Sequence, residues 1–273
     1  MKLAFDTSLL KSLPFGKTLE EISNAGYKFI EIGLAHFSAH ESSQEDVRKL
    51  LELTSNYGLQ IAALIGNYPL SYQNEEIRAF AVQNYLKAIE TAETLGCKLF
   101  ASELNGDIED RAGSEKAFLK SFEEIRPHLE KSNVILSFEA HPGDFVESNK
   151  LAVDLIQRIN YPQLRYLYCV PHSFILGQNI GEMIEYSRDE LEYVHFSDSL
   201  RPEKTFFSGR YFPKVLPHQH LLPGLGDVDL AEALQALQRI GYTGYVTINP
   251  FSHFDRPVEA LKDSKRRMDS LLS

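Results

Sequence analysis

The sequence predicts an α/β protein, a single domain over residues 1–273 that folds as a closed (β/α)8 barrel. Short apolar and β-branched runs alternate eight times with longer segments of helical periodicity. Continuously apolar strands separated by amphipathic helices are typical of a parallel sheet that is covered on its outer face. An open doubly wound sheet is the weaker alternative, because no GxGxxG pattern follows the first predicted strand.

The elements follow one another in a regular order. The predicted strands are apolar runs that end in or next to a polar residue, at 2–6, 28–33, 59–66, 98–103, 134–139, 164–170, 191–197 and 244–249. The predicted helices are the periodic segments 18–26, 45–58, 74–96, 114–131, 150–159, 180–187, 230–241 and 257–272. Several of these segments end in glycine, which adopts the left-handed conformation of a helix end at little cost.

The composition narrows the classes of function. The formal net charge of −10 argues against a nucleic-acid-binding protein, because nonspecific affinity for phosphates depends on Lys and Arg. The sequence has no apolar run of about 18 residues that would suggest a membrane span, and its N-terminal segment is predicted to be a strand, not a signal peptide. Two cysteines without metal-finger spacing suit a reducing cytoplasm, so we expect a cytoplasmic protein.

The longest interruption of the pattern lies between the seventh strand and its helix, at 199–227. A gap of this length inside a compact domain is usually functional, although a disordered surface excursion is an alternative. Four aromatic residues could cap the barrel mouth as a lid or form a dimer contact: Phe206, Phe207, Tyr211 and Phe212. Basic residues of the segment could clamp an anionic or hydroxyl-rich substrate or form a solvated loop face, with Arg201 the favoured substrate contact: Arg201, Lys204, Arg210 and Lys214.

Polar residues cluster at the ends of the predicted strands, where β/α barrels carry their chemistry. They are Asp6, Glu31, Asn67, Glu103, Glu139, His141, Cys169, His172, His195, Asp198 and Asn249. For Glu31 and Glu103, two roles are equally compatible with the sequence: a salt bridge that closes the barrel, or a function in the site. Glu139 is followed by the tight turn AHPGDF, and a carboxylate beside a histidine there predicts an oxygen-and-nitrogen metal site.

Four motifs in the second half of the chain carry a resemblance to a known family. SFEAHPGDF, YCVPHSFILG, VHFSDSLR and HQHLLPGLGDVDL, in this order, resemble the xylose-isomerase-like TIM barrel superfamily. That group includes sugar epimerases, inosose and dehydroshikimate dehydratases, hydroxypyruvate isomerases and an apurinic endonuclease. The resemblance implies a single TIM barrel that binds one divalent metal through residues of strands five to eight.

The family's usual ligands are a strand-five Glu, a strand-six Asp, a strand-seven His and a strand-eight Glu. The resemblance implies that Glu139 and His195 fill the first and third positions. Cys169 replaces the Asp of an Asp-x-x-His motif whose histidine, His172, is kept, and Asn249 occupies the strand-eight position.

Three further residues match positions of single branches of the family. Arg201 matches a substrate-binding Arg of the epimerase branch. His220 matches a metal-binding His of the endonuclease branch, and His218 stands where that branch has an Asp.

The two substitutions leave several interpretations of the site open. A Cys169 thiolate with Glu139 and His195 suits Zn²⁺ better than Mn²⁺, with one position left for water or substrate. Alternatively, Cys169 is a small apolar residue and His220 or His218 completes a Glu–His–His site. A barrel that only binds a small molecule, without catalysis, is the third interpretation.

The strand-eight residue bears on the reaction class. Asn249 cannot accept a proton, so a mechanism with two opposed carboxylates is disfavoured unless His141, His172 or Glu103 substitutes. One-base chemistry remains: Glu139 or a histidine takes the proton next to a polarised carbonyl, and His172 returns it or protonates a leaving hydroxyl.

The sequence therefore predicts a metal-assisted isomerase or dehydratase of a small sugar or polyol derivative. We expect Zn or Mn as the metal and no nucleic-acid or membrane partner, and a homo-oligomer is compatible with the exposed aromatics. The alternatives are a non-catalytic sugar-binding barrel and, less favoured, a DNA-repair endonuclease.

Overall fold

Eight parallel strands close into one barrel in the order β1 to β8. The computed structural model describes residues 1–33, 36–38, 42–201 and 219–273. The strands are β1 Lys2–Asp6, β2 Phe29–Ile32, β3 Gln60–Ile65, β4 Leu99–Glu103, β5 Ile135–Glu139, β6 Leu164–Cys169, β7 Leu191–His195 and β8 Tyr245–Ile248. Each strand lies inside its predicted range, and the predicted single-domain TIM barrel is confirmed.

Helices surround the barrel, as the periodic segments predict. They are α1 Phe15–Asn24, α2 Gln44–Asn56, α3 Glu75–Thr94, α4 Arg111–Leu129, α5 Asn149–Ile159, α6 Val170–Ile175, α7 Ile180–Tyr186, α8 Leu230–Arg239 and α9 Pro257–Leu272. Gly58 and Gly96 follow α2 and α3 with φ of 66°, the left-handed conformation expected of a helix end. Among the described residues, no helix combines the length and the apolar character that crossing a bilayer requires.

Helix α6 is the element that the sequence did not predict. The sixth strand was expected to continue to Val170, but it ends at Cys169 and the chain turns directly into α6. Pro171 lies in the first turn of this helix, where its fixed φ is favourable and its missing N–H is not needed. His172 therefore projects from a helix and not from a loop.

The register of the barrel brings the polar strand ends to one level. Glu103 pairs with Glu139 between β4 and β5, and Cys169 pairs with His195 between β6 and β7. Small and apolar side chains fill the barrel interior below them: Ala63, Leu99, Ala101, Leu167 and Tyr193. The polar residues thus lie above a packed apolar floor at the carboxyl ends of the strands.

Asp198 lies just after β7 and binds the C-terminal end of the long segment 199–227. Its buried carboxylate accepts hydrogen bonds from the backbone N–H groups of Gly224, Gly226 and Val228 at 2.9–3.1 Å. A backbone bridge between Asp198 and Leu221 runs beside them. We infer that Asp198 anchors the chain and does not contact substrate.

We expect Asp198→Ala to lower the free energy of unfolding by about 2–3 kcal/mol, because several buried N–H groups lose one charged acceptor. Urea unfolding followed by circular dichroism measures this change. Asp255→Ala is the matched control, since Asp255 is 74% exposed and its substitution should cost less than about 0.5 kcal/mol. Equal stabilities of the two variants would contradict the anchoring role.

Candidate active site

A cavity of about 220 Å³ opens at the carboxyl ends of the strands. Seven of its nine lining residues are polar or ionisable, and the full set is Ile65, Glu103, Glu139, His141, His172, His195, His220, Asn249 and Phe251. Six of the eight strands contribute to this wall, directly or through the residues that follow them. The cavity is therefore a product of barrel closure.

Glu139 and His195 form the centre of the cavity wall. The Glu139 Oε2 atom lies 3.3 Å from His195 Nδ1, and both side chains are almost completely buried. On the other ring nitrogen, His195 Nε2 donates to Glu31 Oε2 at 3.0 Å. Glu31 is completely buried on β2, so it fixes the ring of His195 and leaves Nδ1 directed at Glu139.

The charges of this group stabilise one another. Burial alone would raise the pKa of Glu31, but the charge and hydrogen bond of His195 outweigh it and hold that pKa below its usual value. Burial alone would lower the pKa of His195, but Glu31, Cys169 and Glu139 raise it well above its usual value. The His195 ring thus lies between two carboxyl groups, a place where positive charge is stabilised.

His172 and His220 form a second group on the same wall. His172 Nδ1 donates to the carbonyl oxygen of Ala140 at 3.1 Å and lies 3.9 Å from Glu139 Oε2. Because a carbonyl can only accept, Nδ1 of His172 carries a proton. The Nε2 atom of His172 lies 3.4 Å from His220 Nε2, a distance at which one nitrogen donates a hydrogen bond to the other.

His220 is held by the loop after β8. Its carbonyl oxygen accepts the N–H of Ser252 at 3.0 Å, and its ring packs against Phe251 with 5.2 Å between ring centroids. The loop after β8 therefore holds His220, which lies in the second half of the long segment 199–227.

Cys169 lies beside both groups as a buried thiol. Burial and the charge of Glu139 raise its pKa to about 12, so it is protonated unless a cation stabilises the thiolate. Its ligand atom lies within 4.8 Å of those of His172 and His220, and equally of those of Glu139 and His195. The predicted Glu139–Cys169–His195 arrangement is thus sterically available, whereas His220 groups with Cys169 and His172 and not with Glu139 and His195.

The donor set fits a divalent metal. Glu139 Oε2 is buried and lies 3.3 Å from His195 Nδ1 without a well-formed hydrogen bond among the described residues, so this oxygen remains available to a ligand. Carboxylate, imidazole and thiol groups are the ligands that Zn²⁺ takes in proteins.

A rim group lies at the outer edge of the cavity. His141 Nδ1 pairs with Asp144 Oδ2 at 3.0 Å, and Asp144 Oδ1 accepts the N–H of Gly106 at 2.9 Å. Burial and the charge of Glu139 raise the pKa of Glu103 to about 7. Burial alone would lower the pKa of His141, but Asp144, Glu103 and Glu139 raise it to about 9.

Four of the predicted site residues line this cavity, Glu139, His172, His195 and His220, and Cys169 lies beside them. Arg201 does not line it: the residue is exposed, with its N–H bonded to Asp227 at 3.0 Å, and its substrate-binding role stays a prediction. The remaining loop candidates lie outside the described residues: Lys204, Phe206, Phe207, Arg210, Tyr211, Phe212, Lys214 and His218.

Two apolar lining residues were not predicted from the sequence. Ile65 ends β3 and Phe251 begins the short 3-10 helix after β8. Their positions at or just after strand ends could have indicated that they line the site. An apolar residue there, however, cannot be told apart by sequence from the other apolar residues of the strands.

Asp6 lies behind Glu31 and carries a proton at neutral pH. It is completely buried, and burial together with the charge of Glu31 raises its pKa to about 8. Its Oδ1 atom accepts the N–H of Ser8 at 2.7 Å, and its Oδ2 atom is buried with no hydrogen bond within the described part of the chain. An asparagine keeps the Ser8 hydrogen bond and cannot ionise.

We expect Asp6→Asn to remove part of the pH dependence of stability. The folded-state pKa of about 8 exceeds the ordinary 3.8, so the stabilisation by Asp6 is present below pH 4 and lost as pH rises through 8. Relative to wild type, the variant should gain about 2–3 kcal/mol in free energy of unfolding between pH 6 and pH 8.5. Urea unfolding at both pH values measures this, with Asp255→Asn as control; a constant difference would contradict it.

The fold and site define a single α/β barrel with carboxylate, imidazole and thiol groups gathered at the carboxyl ends of its strands. The chain belongs to the xylose isomerase-like TIM barrel family, whose model matches residues 19–271. The resemblance noted in the sequence is thereby confirmed.

Curated relatives and solved structures agree with this membership. The inosose isomerase of Bacillus velezensis is 22% identical over 100% of this chain and 98% of its own length. The D-psicose 3-epimerase of Enterocloster bolteae is 21% identical over 87% of this chain and 77% of its own. A crystal structure of the IOLI protein with a zinc atom has a TM-score of 0.79 at 20% identity, covering 100% of this chain and 98% of that one. At such identity, the structural likeness supports the fold.

Proposed function

We propose that this protein is a metal-assisted isomerase or dehydratase of a small sugar or polyol derivative. The chain is an enzyme of the isomerase, epimerase or lyase type, as are its named relatives, among them an inosose dehydratase of Bacillus licheniformis. The observation that carries the proposal is the convergence of Glu139 Oε2 with ring nitrogens of His195 and His172, at 3.3 and 3.9 Å, in one cavity.

Glu139 and His195 are the proposed core of the metal site, completed by Cys169 or by His220. A thiolate ligand would favour Zn²⁺ over Mn²⁺, and the alternative without it accommodates either ion. When bound, the ion supplies polarisation of a substrate carbonyl, which lowers the cost of removing a proton from the neighbouring carbon.

Proton transfer is assigned to Glu139 and His172. The Glu139 carboxylate takes the proton from the carbon next to the carbonyl. In an isomerisation, that proton returns to the former carbonyl carbon, while the proton of the neighbouring hydroxyl passes to the former carbonyl oxygen, so that the hydroxyl becomes the new carbonyl. In a dehydration, His172 carries a second proton on Nε2 and gives it to the β-hydroxyl, the C–O bond breaks, and water leaves. Arg201 is proposed to contact substrate from the mouth of the barrel.

The experiment uses the purified full-length protein. Elemental analysis measures bound metal, and turnover of inosose, D-psicose and D-fructose is followed by chromatography with and without EDTA. We expect about one Zn or Mn per chain, and loss of turnover with EDTA that Zn²⁺ or Mn²⁺ reverses. Full turnover in metal-free protein, or no turnover of any of these ketoses, would count against the proposal.

A non-catalytic sugar-binding barrel is the second candidate. Asn249 at the strand-eight position favours it, because the carboxylate that the family resemblance implies there is missing. Stabilisation of the protein by inosose or ketoses in thermal unfolding, without turnover and without dependence on metal, would favour this candidate.

A further inference from the structure

Asn249 follows β8 and presents only one part of its amide to the cavity. Its side chain is 1% exposed and belongs to the cavity wall. Its Oδ1 atom accepts a hydrogen bond from Ser197 Oγ at 2.7 Å, whereas its Nδ2 atom is buried with no hydrogen-bond partner among the residues that the structure describes.

The orientation of this amide follows from the hydrogen bonds of Ser197. The backbone N–H of Asn249 donates to Ser197 Oγ at 3.3 Å. Ser197 Oγ therefore accepts that N–H, and Asn249 Oδ1 is the acceptor to which the Ser197 O–H donates at 2.7 Å. Because Oδ1 is engaged in this way, the NH₂ group is the free end of the amide.

We infer that Asn249 is a substrate-binding residue whose Nδ2–H donates to an oxygen of the substrate, and that it is not a metal ligand. Its only atom able to ligate a cation is Oδ1, which is already engaged by Ser197. Burying a donor without a partner is unfavourable, and a substrate oxygen in the cavity would recover that cost.

The inference rests on the proposed function and narrows its substrate class. A donor at strand eight, where the family resemblance implies a carboxylate, selects an oxygen that accepts: a carbonyl oxygen, or a hydroxyl oxygen through its lone pairs. Ser197 acts as a positioning residue, since it holds the amide in the orientation that exposes Nδ2.

The test compares three variants of the full-length protein: Asn249→Ala, Asn249→Asp and Ser197→Ala. Zn²⁺ affinity is measured by competition with a chromophoric chelator, and the affinity of Zn²⁺-loaded protein for inosose and D-psicose by titration calorimetry. Ser137→Ala is the matched control, because Ser137 lies buried on β5, two residues before Glu139, and does not line the cavity.

We expect Asn249→Ala to keep its Zn²⁺ affinity within about twofold and to bind the ketoses about tenfold more weakly, the value of one hydrogen bond. Asn249→Asp has the same shape but replaces the donor by an acceptor, so its ketose affinity should fall at least as far. Ser197→Ala should weaken ketose binding less than either, with Zn²⁺ affinity unchanged. The control should match wild type in both measurements.

Loss of Zn²⁺ from Asn249→Ala would overturn the inference, and so would unchanged ketose affinity in that variant or absence of ketose binding by wild type. The two proposals fail separately. If the protein binds a ketose without converting it, the proposed reaction is wrong, while the affinities of the Asn249 variants still decide the role of this residue.

Discussion

Glu139→Gln should lower kcat on the substrate by about 10²–10⁴-fold. The amide has almost the same shape as the carboxylate but cannot accept the substrate proton, and it removes a negative charge that lies 3.3 Å from His195 Nδ1. The loss therefore combines the missing base with a weaker metal site.

Two measurements separate these contributions. Elemental analysis at saturating Zn²⁺ reports whether the variant is loaded, and kcat is then compared for fully loaded proteins. Glu130→Gln, the same change on an exposed residue at the end of α4, is the control and should leave kcat unchanged. If loaded Glu139→Gln protein kept more than a tenth of wild-type kcat, another residue, with Glu103 first, would be the base.

His195→Ala should lower the free energy of unfolding by about 3–5 kcal/mol, because it leaves the completely buried Glu31 carboxylate without its partner. The same variant should lose Zn²⁺ affinity by at least about 100-fold, since a ligand is removed. Urea unfolding in the presence of EDTA measures the first effect without a contribution from bound metal.

The double variant His195→Ala/Glu31→Gln tests whether the stability loss comes from the unpaired carboxylate of Glu31. Neutralising the isolated carboxylate should recover part of the lost stability while metal affinity stays low. Glu31→Gln alone should fold and bind Zn²⁺ about 10–100-fold more weakly, because its amide oxygen still accepts from His195 Nε2 but without the charge. If the double variant were as unstable as His195→Ala, the stability loss would come from the cavity left by the ring and not from the buried charge.

The strands and most helices could be predicted because their signals are local. A strand buried on both faces is apolar along its whole length, and an amphipathic helix repeats its apolar residues every three or four positions. Helix α6 was not predicted, because its six residues, Val170–Ile175, form a segment too short to show a helical period. They also continue the apolar run of β6.

The candidate site was predictable in its residues but not in its contacts. The strand-end rule and the family resemblance selected Glu139, His172, His195 and His220, and these line one cavity. Neither signal distinguished a salt bridge from a functional role for Glu31. The partner of Glu31 is 164 residues away in the sequence, and such a pair forms only where barrel closure brings β2 and β7 within reach.

The sequence by itself determined the order of strands and helices, the end of the barrel at which the polar residues gather, and the residue types available there. These properties depend on periodicity and composition, which each segment carries on its own. Only the tertiary structure decided which ring nitrogen of His195 faces Glu31, that His172 faces His220, and that Asn249 turns its NH₂ group away from Ser197. Those choices depend on hydrogen-bond geometry between strands distant in the chain, which exists only once the barrel has closed.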